Sequence, residues 1–117
     1  ATMFSLNESL NYYLYPRYIP TGKGIEALSE LIRSCTSANL LSGDVYLFVN
    51  KGRNVIKALR WDTDGFILYQ KRLETGTFEI PRFKPGGGLY KLDWKIFFLI
   101  MKGIPLRSIS YRKRFRL

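Results

Sequence analysis

The chain has 117 residues, 19 Lys and Arg against 9 Asp and Glu, no histidine and one cysteine, for a formal net charge of +10. This length supports one domain with a single core; the missing histidine removes the commonest general base, and one cysteine excludes a zinc cluster built within one chain. No run of 18 apolar residues is present to cross a bilayer as a helix, and no basic start precedes a long apolar run, so a cytoplasmic protein is expected.

Tyr12-Tyr13-Leu14-Tyr15, halted by Pro16, predicts a short strand at a sheet edge, its tyrosines either closing a core or stacking on bases. Ile25, Leu28, Leu31 and Ile32 then follow an i, i+3, i+6, i+7 pattern, which places one apolar stripe on a helix over residues 24–37. Lys23-Gly24 reads as its loop-to-helix junction. Free amides there suit a phosphate, but the chain lacks a Gly-Lys-Ser/Thr loop. Cys35, far along the helix and with no histidine to activate it, reads as a packing residue.

The next stretch alternates β-branched and aromatic runs with turns. Strands are predicted over residues 45–49, 55–61 and 66–73, with a fourth short strand over 77–80. Lys51-Gly52, Asp64-Gly65 and Thr75-Gly76 supply glycines that accept positive φ in the connections. Lys57, Arg60, Lys71 and Arg72 fall inside these strands, and unpaired charge is costly to bury. One face or edge of the sheet is therefore expected to be wet, either solvated or turned to nucleic acid.

After Pro81 the composition changes to Arg82-Phe83-Lys84-Pro85-Gly86-Gly87-Gly88, a flexible basic linker; as a phosphate cradle it lacks the preceding strand and following Lys-Ser. A second helix is predicted over residues 89–102. At 100° per residue Leu92, Ile96, Leu99 and Ile100 share one face, while Lys91, Lys95 and Lys102 fall within about 40° of each other on another. Trp94, Phe98 and Met101 border the lysines, a row suited to a partner protein or nucleic acid unless the last fifteen residues cover it. Gly103-Ile104-Pro105 stops the helix, and Arg107, Arg112, Lys113, Arg114 and Arg116, with Tyr111 and Phe115 between them, form a basic arm suited to phosphates.

Charge is unevenly divided along the chain. Residues 1–50 carry three basic and four acidic residues, whereas residues 51–117 carry sixteen and five. A field of this sign attracts polyanions, and nucleic acid is the natural partner, although an anionic membrane surface or an acidic protein feels the same attraction.

Several residues carry a resemblance to a known family. They are Gly43, the apolar strand ending in Phe48-Val49, Arg53, Ile56-Lys57-Ala58-Leu59, Trp61-Asp62 with Asp64-Gly65-Phe66, Leu68-Tyr69, and Lys71-Arg72-Leu73-Glu74 with Gly76 and Phe78. In that order and spacing the segment resembles the accessory proteins called TnpB or Orf2-like of insertion sequences of the 66 type. Lys23-Gly24-Ile25 with Leu28 and Leu31-Ile32 is similar to the opening of that family's first helix, and residues 92–104 to its last. The chain departs at Pro20-Thr21-Gly22, where members carry an Asp-Met-Arg run. The resemblance implies participation in transposition beside a separate, larger transposase that carries the catalytic carboxylates.

The expected fold is α+β: one domain over 1–117, with a small antiparallel β-meander and two helices as a core over 3–104, and a basic C-terminal tail over 105–117. The expected function is non-catalytic and needs no cofactor or metal. Lys51, Arg53, Lys57, Arg60, Lys71 and Arg72, with the tail arginines and Lys113, are expected on DNA, and Trp94, Phe98 and Met101 on a partner such as the transposase. The alternatives are an adaptor that never touches DNA, or a nuclease in which Asp62 and Asp64, with Glu74 or Asp93, hold magnesium. Asp62-Thr63-Asp64-Gly65 is also what a hairpin turn requires.

Overall fold

The computed structural model describes residues 6–37, 39–83 and 86–103. In chain order it contains strand β1 (Tyr12–Leu14), helix α1 (Ile25–Cys35), a single 3-10 turn (Leu40–Ser42), strands β2 (Val45–Val49), β3 (Val55–Asp62), β4 (Gly65–Arg72) and β5 (Tyr90–Leu92), and helix α2 (Trp94–Lys102). The five strands form one sheet in the order β4-β3-β2-β1-β5. β2, β3 and β4 are the predicted antiparallel meander, whereas β1 runs parallel to β2, as a connection through a helix allows. The α+β expectation holds.

β2 is buried at every position, because both faces of the sheet are covered. On one face Tyr12, Leu14, Val45, Leu47, Val49, Ile56 and Ala58 pack with Phe97, Ile100 and Met101 of α2. On the other, Tyr46, Phe48 and Leu59 pack with Leu28 and Ile32 of α1 and with Leu40. The period-2 alternation of the strands and the 3.6-residue period of the helices meet in these two layers. Burying a side chain such as Phe97 contributes about 1.5–3 kcal/mol.

Four expectations are corrected. β1 is an interior strand, not an edge, because β5 pairs along its outer side, Tyr12 with Leu92 and Leu14 with Tyr90. Residues 77–80 form no strand. Phe78 is instead held by one bond, its N–H donating to the Arg53 carbonyl at 2.6 Å, while its ring is fully buried.

The helix predicted over 89–102 divides at Asp93, whose carboxylate accepts from the Ile96 N–H at 2.9 Å as an N-cap. Leu92 therefore belongs to a strand, and the buried face of α2 is Phe97, Ile100 and Met101 rather than Leu92, Ile96, Leu99 and Ile100. Finally, positive φ falls on Arg53 (57°) and Thr63 (54°), not on Gly52 or Gly65. Gly76 and Gly103 do adopt it, at 78° and 76°, and Gly103 ends α2 as anticipated.

The β2–β3 connection explains the conformation of Arg53. Asn50 lies just past β2, and its side-chain oxygen accepts from the N–H groups of Asn54 and Val55, both at 3.0 Å. Its amide donates to Asn54 Oδ1 at 2.7 Å, and its own carbonyl accepts from the Arg53 N–H at 2.9 Å. The loop closes around this one side chain, so Arg53 has no freedom to leave the left-handed region.

Candidate nucleic-acid interface

The strand register sorts the charges by end of the sheet. Tyr12 pairs with Val45, Val45 with Arg60 and Arg60 with Ile67, so β1, β2 and β4 start at the same end, where β3 and β5 finish. That end gathers Asp44 before β2, Asp62 closing β3, Asp64 in the β3–β4 turn and Asp93 after β5. Asn11, just before β1, donates to Asp44 Oδ1 at 3.2 Å.

The opposite end is basic. Arg17 lies beyond β1, Lys51 and Arg53 lie between β2 and β3, Arg72 closes β4, and Arg82 precedes Phe83, whose ring meets Tyr18 at 5.0 Å. All five of these cations are exposed. Glu74 and Glu79 are the acidic residues that accompany them in the segment after β4.

The helices are oriented along the same axis. Lys71 Nζ donates to the Met101 carbonyl at 2.8 Å, which places the C-terminus of α2 towards the basic end, and Lys102 ends the same helix. A cation on the last carbonyls and the Asp93 carboxylate at the first amides both complement the helix dipole. The start of α1 also faces the basic end, since Lys57 Nζ donates to the carbonyl of Lys23, next to the Gly24 cap.

The strand cations therefore separate into two kinds. Lys57 is only 4% exposed and spends its ammonium on that carbonyl, while burial pushes its pKa below the ordinary lysine value. Arg60 has a side chain 14% exposed, with Nε donating to the Gly43 carbonyl at 3.2 Å and Nη1 3.8 Å from an Asp62 carboxylate oxygen. Both expectations of a DNA-facing role are revised on this ground: these cations are interior groups that tie α1 and the Gly43 turn to the sheet. Lys51, Arg53 and Arg72 are presented at the surface, and Lys71 is exposed with its ammonium on the α2 terminus. Arg107, Arg112, Lys113, Arg114 and Arg116 lie outside the described residues.

The expected partner row divides in the same way. Phe98 is 37% exposed, with its ring 5.7 Å from Trp94 and 5.6 Å from the Lys102 ammonium, a cation–π pairing on the outside of α2. Trp94 is half-buried against Tyr12 at 5.5 Å. Met101 is corrected: it is 5% exposed and belongs to the core, because the helix phase set by Asp93 turns it inward with Phe97 and Ile100.

The acidic end has its own local logic. Asp62 and Gly65 pair across the β3–β4 hairpin, the Asp64 N–H donates to the Asp62 carbonyl, and the Thr63 hydroxyl donates to Asp62 Oδ1 at 3.3 Å. The Asp62 carboxylate thus accepts within the turn, and among the described residues no three His, Cys, Asp or Glu side chains come together as metal ligands. No helix among them is long and apolar enough to cross a membrane. Nearby, the Tyr12 hydroxyl donates to the Asn7 carbonyl at 2.7 Å, and burial pushes its pKa up to about 12. Tyr46 and Tyr69 are raised as well, chiefly by burial.

Sequence reading missed the Asn50 loop support and the grouping of Arg17 and Arg82 with the β2–β3 loop. A usable signal for the first was present: Asn50 and Asn54 bracket Lys51-Gly52-Arg53 with two amide side chains able to bond local backbone. The second depends on residues far apart in the chain and had none.

No solved structure matches the chain. A protein of Sinorhizobium fredii described as uncharacterized protein y4jC is 34% identical over 64 residues, which cover 55% of this chain and 55% of that protein, so the matched part spans about half the length of that relative. The model of the family described as IS66 Orf2 like protein, TnpB, matches residues 10–111, which take in all the described strands and both helices. The chain belongs to the family described as IS66 Orf2 like protein.

Proposed function

We propose that this protein is a non-catalytic, cytoplasmic accessory factor of transposition that holds the DNA backbone at the basic end of its sheet. The observation that carries the reading is the uneven distribution of charge along the strand axis: exposed Arg17, Lys51, Arg53, Arg72 and Arg82 outnumber Glu26, Glu74 and Glu79 at one end, and Asp44, Asp62, Asp64 and Asp93 outnumber Arg60 and Lys95 at the other. A polar molecule of this kind docks on a polyanion in one orientation, its acidic end turned away from the phosphates. The arginines and lysine among residues 107–116, outside the described residues, are assigned phosphate contacts in the same reading.

A second interaction is compatible with the first. Phe98, exposed beside Trp94 and Lys102, offers an aromatic and basic face on α2 for the transposase of the same element. In this reading the protein bridges DNA and transposase.

The test is a salt-titrated binding assay on duplex DNA, comparing the element's terminal sequence with a scrambled one, with and without transposase. If six to ten phosphates are contacted, affinity falls ~10³- to 10⁵-fold between 50 and 200 mM salt. No binding at low salt, or a flat salt response, overturns DNA binding; a pull-down with transposase but no DNA shift leaves an adaptor. Magnesium-dependent nicking that is lost in Asp62→Asn or Asp64→Asn overturns the non-catalytic part.

A further inference from the structure

A cleft of about 320 Å³ opens beside the basic end, lined by Pro16, Phe83, Leu89, Tyr90, Lys91 and the glycine backbone at 87 and 88. Its position follows from the topology. β1 ends at the cleft and continues into Pro16, while β5, the sheet edge on this side, begins there with Tyr90.

Three features distinguish its chemistry. Aromatic faces are exposed to solvent at and next to it: Tyr90 is 37% exposed, and Tyr18, 45% exposed, stands edge-on to Phe83. Its charge has one sign, since Lys91 lines it, exposed Arg17 and Arg82 adjoin Pro16 and Phe83, and no acidic side chain is among the lining residues. The glycines leave part of the wall without side chains, and a Cβ placed on Gly88 would meet nothing within 4 Å, so a flat ring has room to approach.

We propose that this cleft takes an unpaired base of a DNA strand whose phosphates lie on the basic end, an assignment that rests on the DNA-binding role proposed above. Every base has a π-face, so an aromatic platform beside cations binds single strands with little regard to sequence. Phe83, Gly87 and Gly88, read from sequence as part of a linker, then line a site. An accessory factor with this cleft distinguishes frayed or nicked DNA from intact duplex, because a paired base cannot reach an aromatic ring at a sheet edge without leaving its stack.

The experiment measures fluorescence anisotropy of a labelled oligothymidine and of a labelled duplex of equal length, at low salt, for the full chain and for Tyr90→Ala, Tyr90→Phe and Gly88→Val. Tyr90 is exposed and Gly88 has no positive φ, so these variants leave the core intact. Tyr90→Ala is expected to weaken single-strand binding roughly 5- to 150-fold with duplex binding unchanged. Tyr90→Phe retains the stack and the affinity, and Gly88→Val, which narrows the cleft, weakens the single strand only. Equal losses on both DNAs, no loss on either, or no single-strand binding at all overturns the site. Duplex binding with the expected salt dependence but no single-strand binding sinks this site and leaves the proposed function standing. Single-strand binding that depends on Tyr90, without duplex binding, does the reverse.

Discussion

The two ends of the sheet are built from similar parts and used differently. Each carries a tight connection with a non-glycine residue in the left-handed region, Arg53 at one end and Thr63 at the other. At the basic end that residue donates its N–H to the Asn50 backbone carbonyl and accepts at its own carbonyl from Phe78, and it displays a cation. At the acidic end Thr63 sits in a two-residue hairpin and donates its hydroxyl to the Asp62 carboxylate. The same backbone device presents an exposed cation in one place and closes a hairpin in the other. Charge alone would not have separated them, since Arg60 lies near the acidic end, largely buried and paired there with Asp62.

The comparison is broken most directly by removing charge from one end at a time. Replacing Lys51, Arg53 and Arg72 together with alanine is expected to flatten the slope of log affinity against log salt by about 0.9 for each phosphate that is no longer neutralised. Replacing Asp44 and Asp64 with asparagine should leave duplex affinity unchanged or raised. Equal losses from both sets, in the same salt titration, would remove the distinction between the ends.

The layer between the ends is sharpened by neighbouring residues of α2. Phe97→Ala empties a fully buried site and is expected to cost about 3–5 kcal/mol in denaturant unfolding, whereas Phe98→Ala, at an exposed site, should cost far less and instead weaken capture of the transposase. At the acidic end, Asp93→Ala removes the α2 N-cap for about 1 kcal/mol.

The turns provide a smaller and more pointed test. Thr63→Gly relieves a β-branched residue at positive φ and is expected to stabilise by about 1 kcal/mol with DNA binding untouched. Arg53→Gly gives similar backbone relief but lowers DNA affinity, so stability and binding move in opposite directions at this end alone.

The last prediction is silent at neutral pH. Tyr12 has its pKa raised to about 12 in the folded chain against about 10 unfolded, so its contribution is intact below pH 10 and is lost as pH rises towards 12. Tyr46 and Tyr69 act in the same direction. Lys57, with a lowered pKa, acts in the opposite direction, since its burial penalty is relieved as the pH rises to the unfolded value. Stability measured from pH 9 to 12 should fall, and more shallowly in Tyr12→Phe, although that variant also loses the bond to Asn7.

Much of this was legible from residues in order. The meander could be read because its strands alternate and its turns carry polar and glycine residues, and β2 was read with its observed bounds. α1 could be read because its apolar stripe is regular and solvent bounds its other side. β5 was hidden because three residues carry too little pattern, and Leu92 extends a helical period by coincidence. The site was harder still. Lys57 and Lys51 are alike as letters, yet one bonds a carbonyl inside the fold and the other faces solvent.

Residue order alone establishes a strongly basic chain with an α+β fold of the IS66 Orf2-like family. Local periodicity and turn chemistry are short-range properties, and family resemblance resides in the order of residues. Which cations are exposed, that β1 is interior, and that Pro16, Phe83 and residues 87–91 share one cleft emerge only when the strands are assembled. Burial and the meeting of distant segments are set by how strands pair, and that pairing is not written in any one stretch of the chain.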